Sequence, residues 1–492
     1  MSSARSQLRR GSLGWKDLVF FVVAAAAPLT VMAGVAPLAI LFAGEVTPLG
    51  YLVAGLTLIL FACGFTAMSR YVQNAGAFYA YVSRGLGRPA GSGAAFLAVI
   101  AYNLMELGLV AGTGYFAEQT IDNLFGVHVP WPVWSVATAL VIGLLGYLRI
   151  TLSAKVLGLA LILEVLMLLV FEVGMVIRDG FDGYDVASFD ATQLGGEGTG
   201  GLFIFAIAAF IGFEATAIYA EEVRDPQRSV PIATYTALAF LALFYSFTVW
   251  SVIAFYGGSE AQDVAASPDG PSMVYTATEA VAGAWASDAM QVLIVTSAFA
   301  ATLAFHNVST RYMFALGREG LLPRTLAKID RRHASPVNAV IVQTALGLTV
   351  IAVGAATSSD PYLVVLLWAN GPGVVGIMIL QALTAVAVVG FFRGSLRGHS
   401  LLAVIVAPLA AAITLSALTF LVVKNIDLTT GADTATNVLL LLPLPLAFAF
   451  GTARALRIRR TDPTRYATLT TLEVEADPDS SQPSQEQDEI DA

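Results

Sequence analysis

The sequence predicts an all-α integral membrane protein of twelve spanning helices, and three observations predict it. Of its 492 residues 57% are hydrophobic and only 12% charged, about half the roughly 25% charge usual in soluble domains. Apolar runs of about 18 residues or more, long enough to cross the hydrocarbon layer, recur almost from end to end. The basic residues gather in alternate connections between those runs.

Taken in order, spans 1 to 6 are expected at residues 17–43, 49–69, 89–119, 131–148, 152–177 and 200–221. Spans 7 to 12 are expected at 231–256, 287–316, 337–356, 362–392, 401–423 and 437–456. Each has roughly the 20 residues a crossing needs, and the longer ones fit by tilting. Arg5, Arg9 and Arg10 precede span 1, but the apolar stretch after them is too long for a signal-peptide core, so it reads as a retained helix. With both termini inside, the cytoplasmic connections receive Arg70, Arg84, Arg88, Arg149, Arg224, Arg228, Arg318, Arg324, Arg393 and Arg397. The outer ones keep only Arg178 and Lys424. The expected location is therefore the cytoplasmic membrane, with both termini cytoplasmic.

Three regions follow: a cytoplasmic segment at 1–16, the helical body at 17–456 and a cytoplasmic tail at 457–492. The net charge of -9 belongs mostly to that tail, where no basic residue follows Arg465 and acids run from Glu473 to Asp491. Its Ser/Gln/Pro-rich composition is that of a disordered segment. The body is nearly neutral, which argues against nucleic acid as a partner. The single cysteine, Cys63, excludes an intrachain disulfide and a cysteine metal cluster. No zinc-binding histidine pair and no serine elbow is present, so neither metal, cofactor nor enzyme activity is expected. GPGVVG at Gly371 to Gly376 fits a dinucleotide pattern but lies within span 10 without a βαβ context, and is rejected.

Spans 1 and 6 carry backbone-breaking residues at mid-membrane depth. Span 1 reads APLTVMAGVAP, with Pro28, Gly34 and Pro37; span 6 reads AAFIGFEAT, with Gly212 beside Glu214. Interrupted helices five spans apart are the mark of inverted five-helix repeats with a site at the midplane.

At these residues the chain resembles the amino acid, polyamine and organocation superfamily of permeases. NAGAFYAYVSRGLGR (Asn74 to Arg88) is similar to that family's block between helices 2 and 3, FIGFE with AEEVRDPQRSVPIAT to its helix 6 and the following loop, and TRYMFALGREGLLP to the end of its helix 8. The resemblance implies two inverted repeats, spans 1–5 and 6–10, plus two extra helices, with spans 1 and 6 unwound around a substrate. It implies import by alternating access of an amino acid, with a coupling ion expected to be a proton. A polyamine importer, an exchanger and, from another class, a membrane sensor that binds a ligand without moving it remain open. Oligomeric state is not legible.

The same resemblance places the site. The unwound stretch of span 1 is Thr30, Val31, Met32, Ala33 and Gly34. A substrate carboxylate would rest on amides near Met32, Ala33 and Gly34, and its ammonium on carbonyls of Thr30, Ala208 and Ile211. Gly34 and Gly212 would permit close approach. Met105 and Gly108 on span 3, Phe210 on span 6 and Phe305 on span 8 would line the pocket, with Phe210 closing it as a gate. Independently, Glu106, Glu164, Glu172 and Glu214 lie within spans, where an uncompensated charge costs about 3 kcal/mol or more, and none has an obvious basic partner. Glu214 matches the family's acidic position in helix 6. Glu164, nine residues on from Lys155, stands where some proton-coupled members carry a lysine, and is expected to be a proton site or cation ligand. His306, beside Phe305, reads first as a packed histidine.

Overall fold

Every regular element among the described residues is a helix. The structure, a computed structural model, describes residues 14–72, 78–148, 154–196, 198–218, 223–330, 332–333 and 335–469. The N-terminal arginines, Asn74, Glu221, Glu222 and the acidic tail lie outside those ranges.

The first helical stretch comprises α1 (Trp15–Ala26), a π-helical segment (Thr30–Val35) and α2 (Ala36–Ala43). Gly44, at φ +55°, turns the chain, and the Thr47 hydroxyl donates to its carbonyl at 2.6 Å as α3 (Thr47–Ser69) begins with Pro48 in its first turn. Next come α4 (Phe78–Leu86), α5 (Arg88–Phe125), α6 (Trp131–Leu148) and α7 (Ala154–Asp179). The second half opens with α8 (Thr199–Ala208), a six-residue turn, and α9 (Ala215–Ile218). It continues through α10 (Pro226–Tyr256), the short α11 (Glu260–Ala266) and α12 (Met273–Ala282), then α13 (Ala284–Glu319) and α14 (Val337–Ala356). A π-helical turn (Pro361–Leu366), held at its start by Asp360 Oδ1 accepting the Tyr362 and Leu363 amides at 2.8 and 2.6 Å, leads into α15 (Leu367–Phe392). The chain closes with α16 (Ala407–Lys424), α17 (Ile426–Thr430), α18 (Thr434–Leu441), α19 (Pro443–Thr461) and α20 (Pro463–Thr468).

Ten helical stretches among the described residues are long and apolar enough to cross a membrane. Their outward side chains fit a lipid surface: Leu144 on α6, Ile413 on α16 and Leu439 on α18 are 55%, 64% and 67% exposed. The centre is α5, which packs against α6, α13, α15 and α19. At 38 residues it extends about 57 Å, so it passes the site at mid-length and touches helices from both halves.

Candidate functional site

The first helix is interrupted at Ala27, not over Thr30 to Gly34. Ala27 adopts a left-handed conformation (φ 47°, ψ 67°) and its amide bonds back to the Ala24 carbonyl at 3.2 Å. Pro28 follows, with no amide to continue the ladder. The helix that resumes after it has orphan amides at its start, and the chain supplies a partner for each. The Leu29 amide meets the Glu164 carboxylate from α7, and the Thr30 amide donates to Ser297 Oγ at 3.3 Å. That hydroxyl in turn donates to Glu164 Oε2 at 2.7 Å, while the Val31 amide reaches the Ala27 carbonyl at 3.0 Å. Glu164 and Ser297 thus cap, from two other helices, the end that the break leaves bare.

This changes the expected role of Met32, Ala33 and Gly34. Their backbone is wound within the π-helical segment, so it is not an open row of amides awaiting a carboxylate. Met32 and Ala33 are fully buried in packing. A Cβ on Gly34 would stand 2.6 Å from Phe116 Cζ, and its carbonyl accepts the Tyr362 hydroxyl at 2.6 Å. The close approach that Gly34 permits is made by an aromatic ring of α5.

The second interruption falls between α8 and α9. Gly212 takes φ +119°, a conformation only glycine adopts readily, and a Cβ there would lie 3.0 Å from that of Ala25. The two breaks therefore press together. The Gly212 amide donates to Glu214 Oε2 at 2.9 Å, and the Tyr102 hydroxyl of α5 makes a short hydrogen bond to Oε1. The Ala208 carbonyl accepts the Ile211 amide at 3.1 Å, so it is engaged within the turn. Phe210, expected to close the pocket, is not on the lining of the chamber described next. Its buried ring meets Tyr245 of α10 edge-on at 6.0 Å and lies close to Gly55 of α3.

A cavity of about 80 Å³ lies beside both breaks. Ala26, Ala27, Thr30 and Val31 bound it on one side, and Phe205, Ala208 and Ile211 on another. Met105 of α5, Phe305 of α13, Leu366 at the end of the π-helical turn and Asn370 and Gly371 of α15 also line it. The expected Thr30, Val31, Met105, Ala208, Ile211 and Phe305 are thus brought together around one space. Met32, Ala33, Gly34, Gly108, Phe210 and Gly212 are not on its lining. Gly108 instead lets α15 pack close, since a Cβ on it would collide with Asn370 Nδ2. Asn370 was not singled out in the sequence, and Gly371 only as the start of a rejected dinucleotide pattern; the available signal was a polar residue beside the Gly-Pro-Gly of span 10.

None of the lining side chains is charged, and two lining residues carry a buried polar atom without a hydrogen-bond partner, Thr30 Oγ1 and Asn370 Nδ2. Buried polar groups are nearly always paired, so both residues have hydrogen-bonding capacity left over beside the cavity. The span carboxylates, by contrast, are satisfied elsewhere. Glu106 has a basic neighbour that sequence separation concealed: His306 Nδ1 lies 3.2 Å from its Oε1, and Gln343 Nε2 donates to Oε2 at 2.7 Å. Glu172 accepts the Thr248 hydroxyl.

A helical membrane body with a small chamber beside two helix interruptions has the form of a solute carrier. The chain belongs to the amino acid permease family, whose pattern it matches over residues 17–464. It is similar to cationic amino acid transporter 1 of Arabidopsis thaliana, 25% identical over 361 residues that cover 68% of this chain and 56% of that protein. It is similar also to the branched-chain amino acid permease BcaP of Bacillus subtilis, 24% identical over 311 residues covering 60% and 64%. Another relative, the vacuolar cationic amino acid transporter 2 of Arabidopsis thaliana, is 30% identical over 175 residues, 33% of this chain and 25% of that protein. The matched region spans less than two thirds of the length of each of these relatives.

Proposed function

We propose that this protein is a secondary transporter that imports an amino acid across the cytoplasmic membrane by alternating access, coupled to protons. The observation that carries the reading is a chamber bordered by both helix interruptions, two of whose lining residues hold an unpartnered polar atom. Family membership and the names of the relatives, two for cationic and one for branched-chain amino acids, support amino acid cargo.

The reading takes the topology as twelve spans with both termini cytoplasmic. The 55-residue stretch Trp15–Ser69 would extend about 82 Å if straight, so it is two crossings, and α8 with α9 forms a further, broken one. Spans 1–5 and 6–10 are inverted repeats, and the interruptions at Ala27 and Gly212 lie near the midplane. The substrate ammonium meets main-chain carbonyls exposed by the first break, above all that of Ala25, whose helical donor Leu29 is turned to Glu164.

Coupling runs through carboxylates that join separate helices. Glu164 ties α7 and α13 to the restarted first helix, and Glu214 ties the turn of the sixth to Tyr102 on α5. Bonds to an ionised carboxylate are roughly twice as strong as bonds to its neutral form. Protonation therefore loosens these ties, and drives transport if the outward and inward states hold the proton with different affinity. A polyamine carrier would need acidic side chains converging on the chamber; Glu106, Glu164 and Glu214 are each engaged by other donors instead.

The test is uptake by reconstituted full-length protein against a panel of amino acids and amines, with imposed proton and sodium gradients. Accumulation of an amino acid driven by a proton gradient is expected. Saturable binding with no flux would make the protein a sensor, and accumulation driven only by sodium would remove the proton.

A further inference from the structure

The chamber also carries information about its cargo. We infer that the substrate is a neutral α-amino acid with an aliphatic side chain, whose carboxylate is held by Asn370 Nδ2 and the Thr30 hydroxyl; this rests on the transport site proposed above.

The amides at the restart of the first helix, the obvious anion cradle, are already spoken for by Glu164, Ser297 and the Ala27 carbonyl. A substrate carboxylate must therefore find other donors. Only two side chains on the lining have a buried, unpartnered polar atom, and both can donate: the Asn370 amide nitrogen, with two N–H groups, and the Thr30 hydroxyl. They approach from different elements, the start of α15 and the restarted first helix, as a two-point grip on one carboxylate requires.

The remainder of the wall selects what the α-carbon carries. Met105, Phe305, Leu366 and Val31 present apolar surface, and no lining residue offers a carboxylate to a guanidinium or an ammonium side chain. The nearby glutamates do not serve, since their oxygens are engaged by Ser297, Tyr102, Gly212, His306 and Gln343. A cationic side chain here would be desolvated without a partner, whereas an aliphatic one gains apolar contact. Gly371 marks where it goes: a Cβ built on this lining glycine meets nothing within 4 Å.

The experiment measures binding and flux separately on the full-length protein. Radiolabelled leucine is bound in detergent, displaced by alanine, valine, arginine or lysine, and its uptake is followed in proteoliposomes. Leucine should bind saturably, be displaced by the neutral aliphatic competitors, and resist about a hundredfold excess of arginine or lysine. Asn370→Leu should weaken leucine binding about tenfold or more, the loss expected for a hydrogen bond to a charged group. Gly371→Val should weaken leucine more than alanine. Thermal unfolding of each variant establishes that it is folded. Arginine or lysine displacing leucine at comparable concentration overturns the inference, as does unchanged leucine binding in both folded variants. Leucine bound but never accumulated leaves the inference standing and removes transport; arginine accumulated while leucine is ignored does the reverse. An absence of both binding and uptake for every amino acid removes both.

Discussion

Replacing Glu164 by glutamine tests coupling at the point where three helices meet. The side chain keeps its size and one acceptor oxygen but loses its charge. In the native protein the carboxylate receives the Ser297 hydroxyl at 2.7 Å and the Leu29 amide. Hydrogen bonds to a charged group contribute about 1.5–3 kcal/mol each, against about 0.5–1.5 for neutral pairs. Two such bonds weakened by about 1 kcal/mol each remove about 2 kcal/mol from the joint between α7, α13 and the restarted first helix. That is a shift of about thirtyfold in any equilibrium that opens the joint, and it is no longer adjustable by a proton. The assay is leucine accumulation in proteoliposomes with the interior held alkaline, compared with equal pH on both sides. The native protein should accumulate substrate only with the gradient, and Glu164→Gln should equilibrate it at a rate independent of the gradient. If the variant accumulates leucine with unchanged dependence on the gradient, Glu164 is not the coupling site.

Other substitutions follow from the same geometry. Tyr102→Phe removes the hydroxyl that donates to Glu214 and leaves a buried oxygen short of a donor; unfolding experiments should show a loss of about 1–3 kcal/mol, with uptake reduced. Gly212→Ala forces a Cβ into a positive-φ conformation and to 3.0 Å from Ala25, so it should destabilise by about 1–3 kcal/mol and slow transport, whereas the same exchange at the open Gly371 should leave stability within about 0.5 kcal/mol. Phe210→Leu alters packing against Tyr245 and not the chamber; KM should stay within about twofold, and a tenfold rise would restore Phe210 as a gate.

The residues that were legible in advance are those whose effect is local. Pro28 and Gly212 mark their irregularities because a missing amide and a missing Cβ act on the backbone at that very point, and the first helix departs from regular geometry at Ala27, before the expected Thr30 to Gly34. The Gly34 region looked permissive for a substrate, yet its permissiveness is used by Phe116, a contact 82 positions along the chain that no local pattern reveals. Glu106 seemed unpartnered because His306 lies 200 residues away in sequence and 3.2 Å away in space.

What the sequence alone determined is the membrane-embedded helical body and the chemistry stored in it: long apolar runs, two points of backbone weakness and a few carboxylates within hydrocarbon. These are properties of single residues and short windows, fixed by solvation and by backbone sterics. Which carboxylate caps which broken end, which aromatic ring packs inward and which polar residue lines the chamber were decided only when helices from both halves packed around α5. A helix presents a side chain to several neighbours according to rotation and tilt, and those are set by contacts with every other helix at once. Asn370 and Gly371 became visible as parts of a site only through that packing.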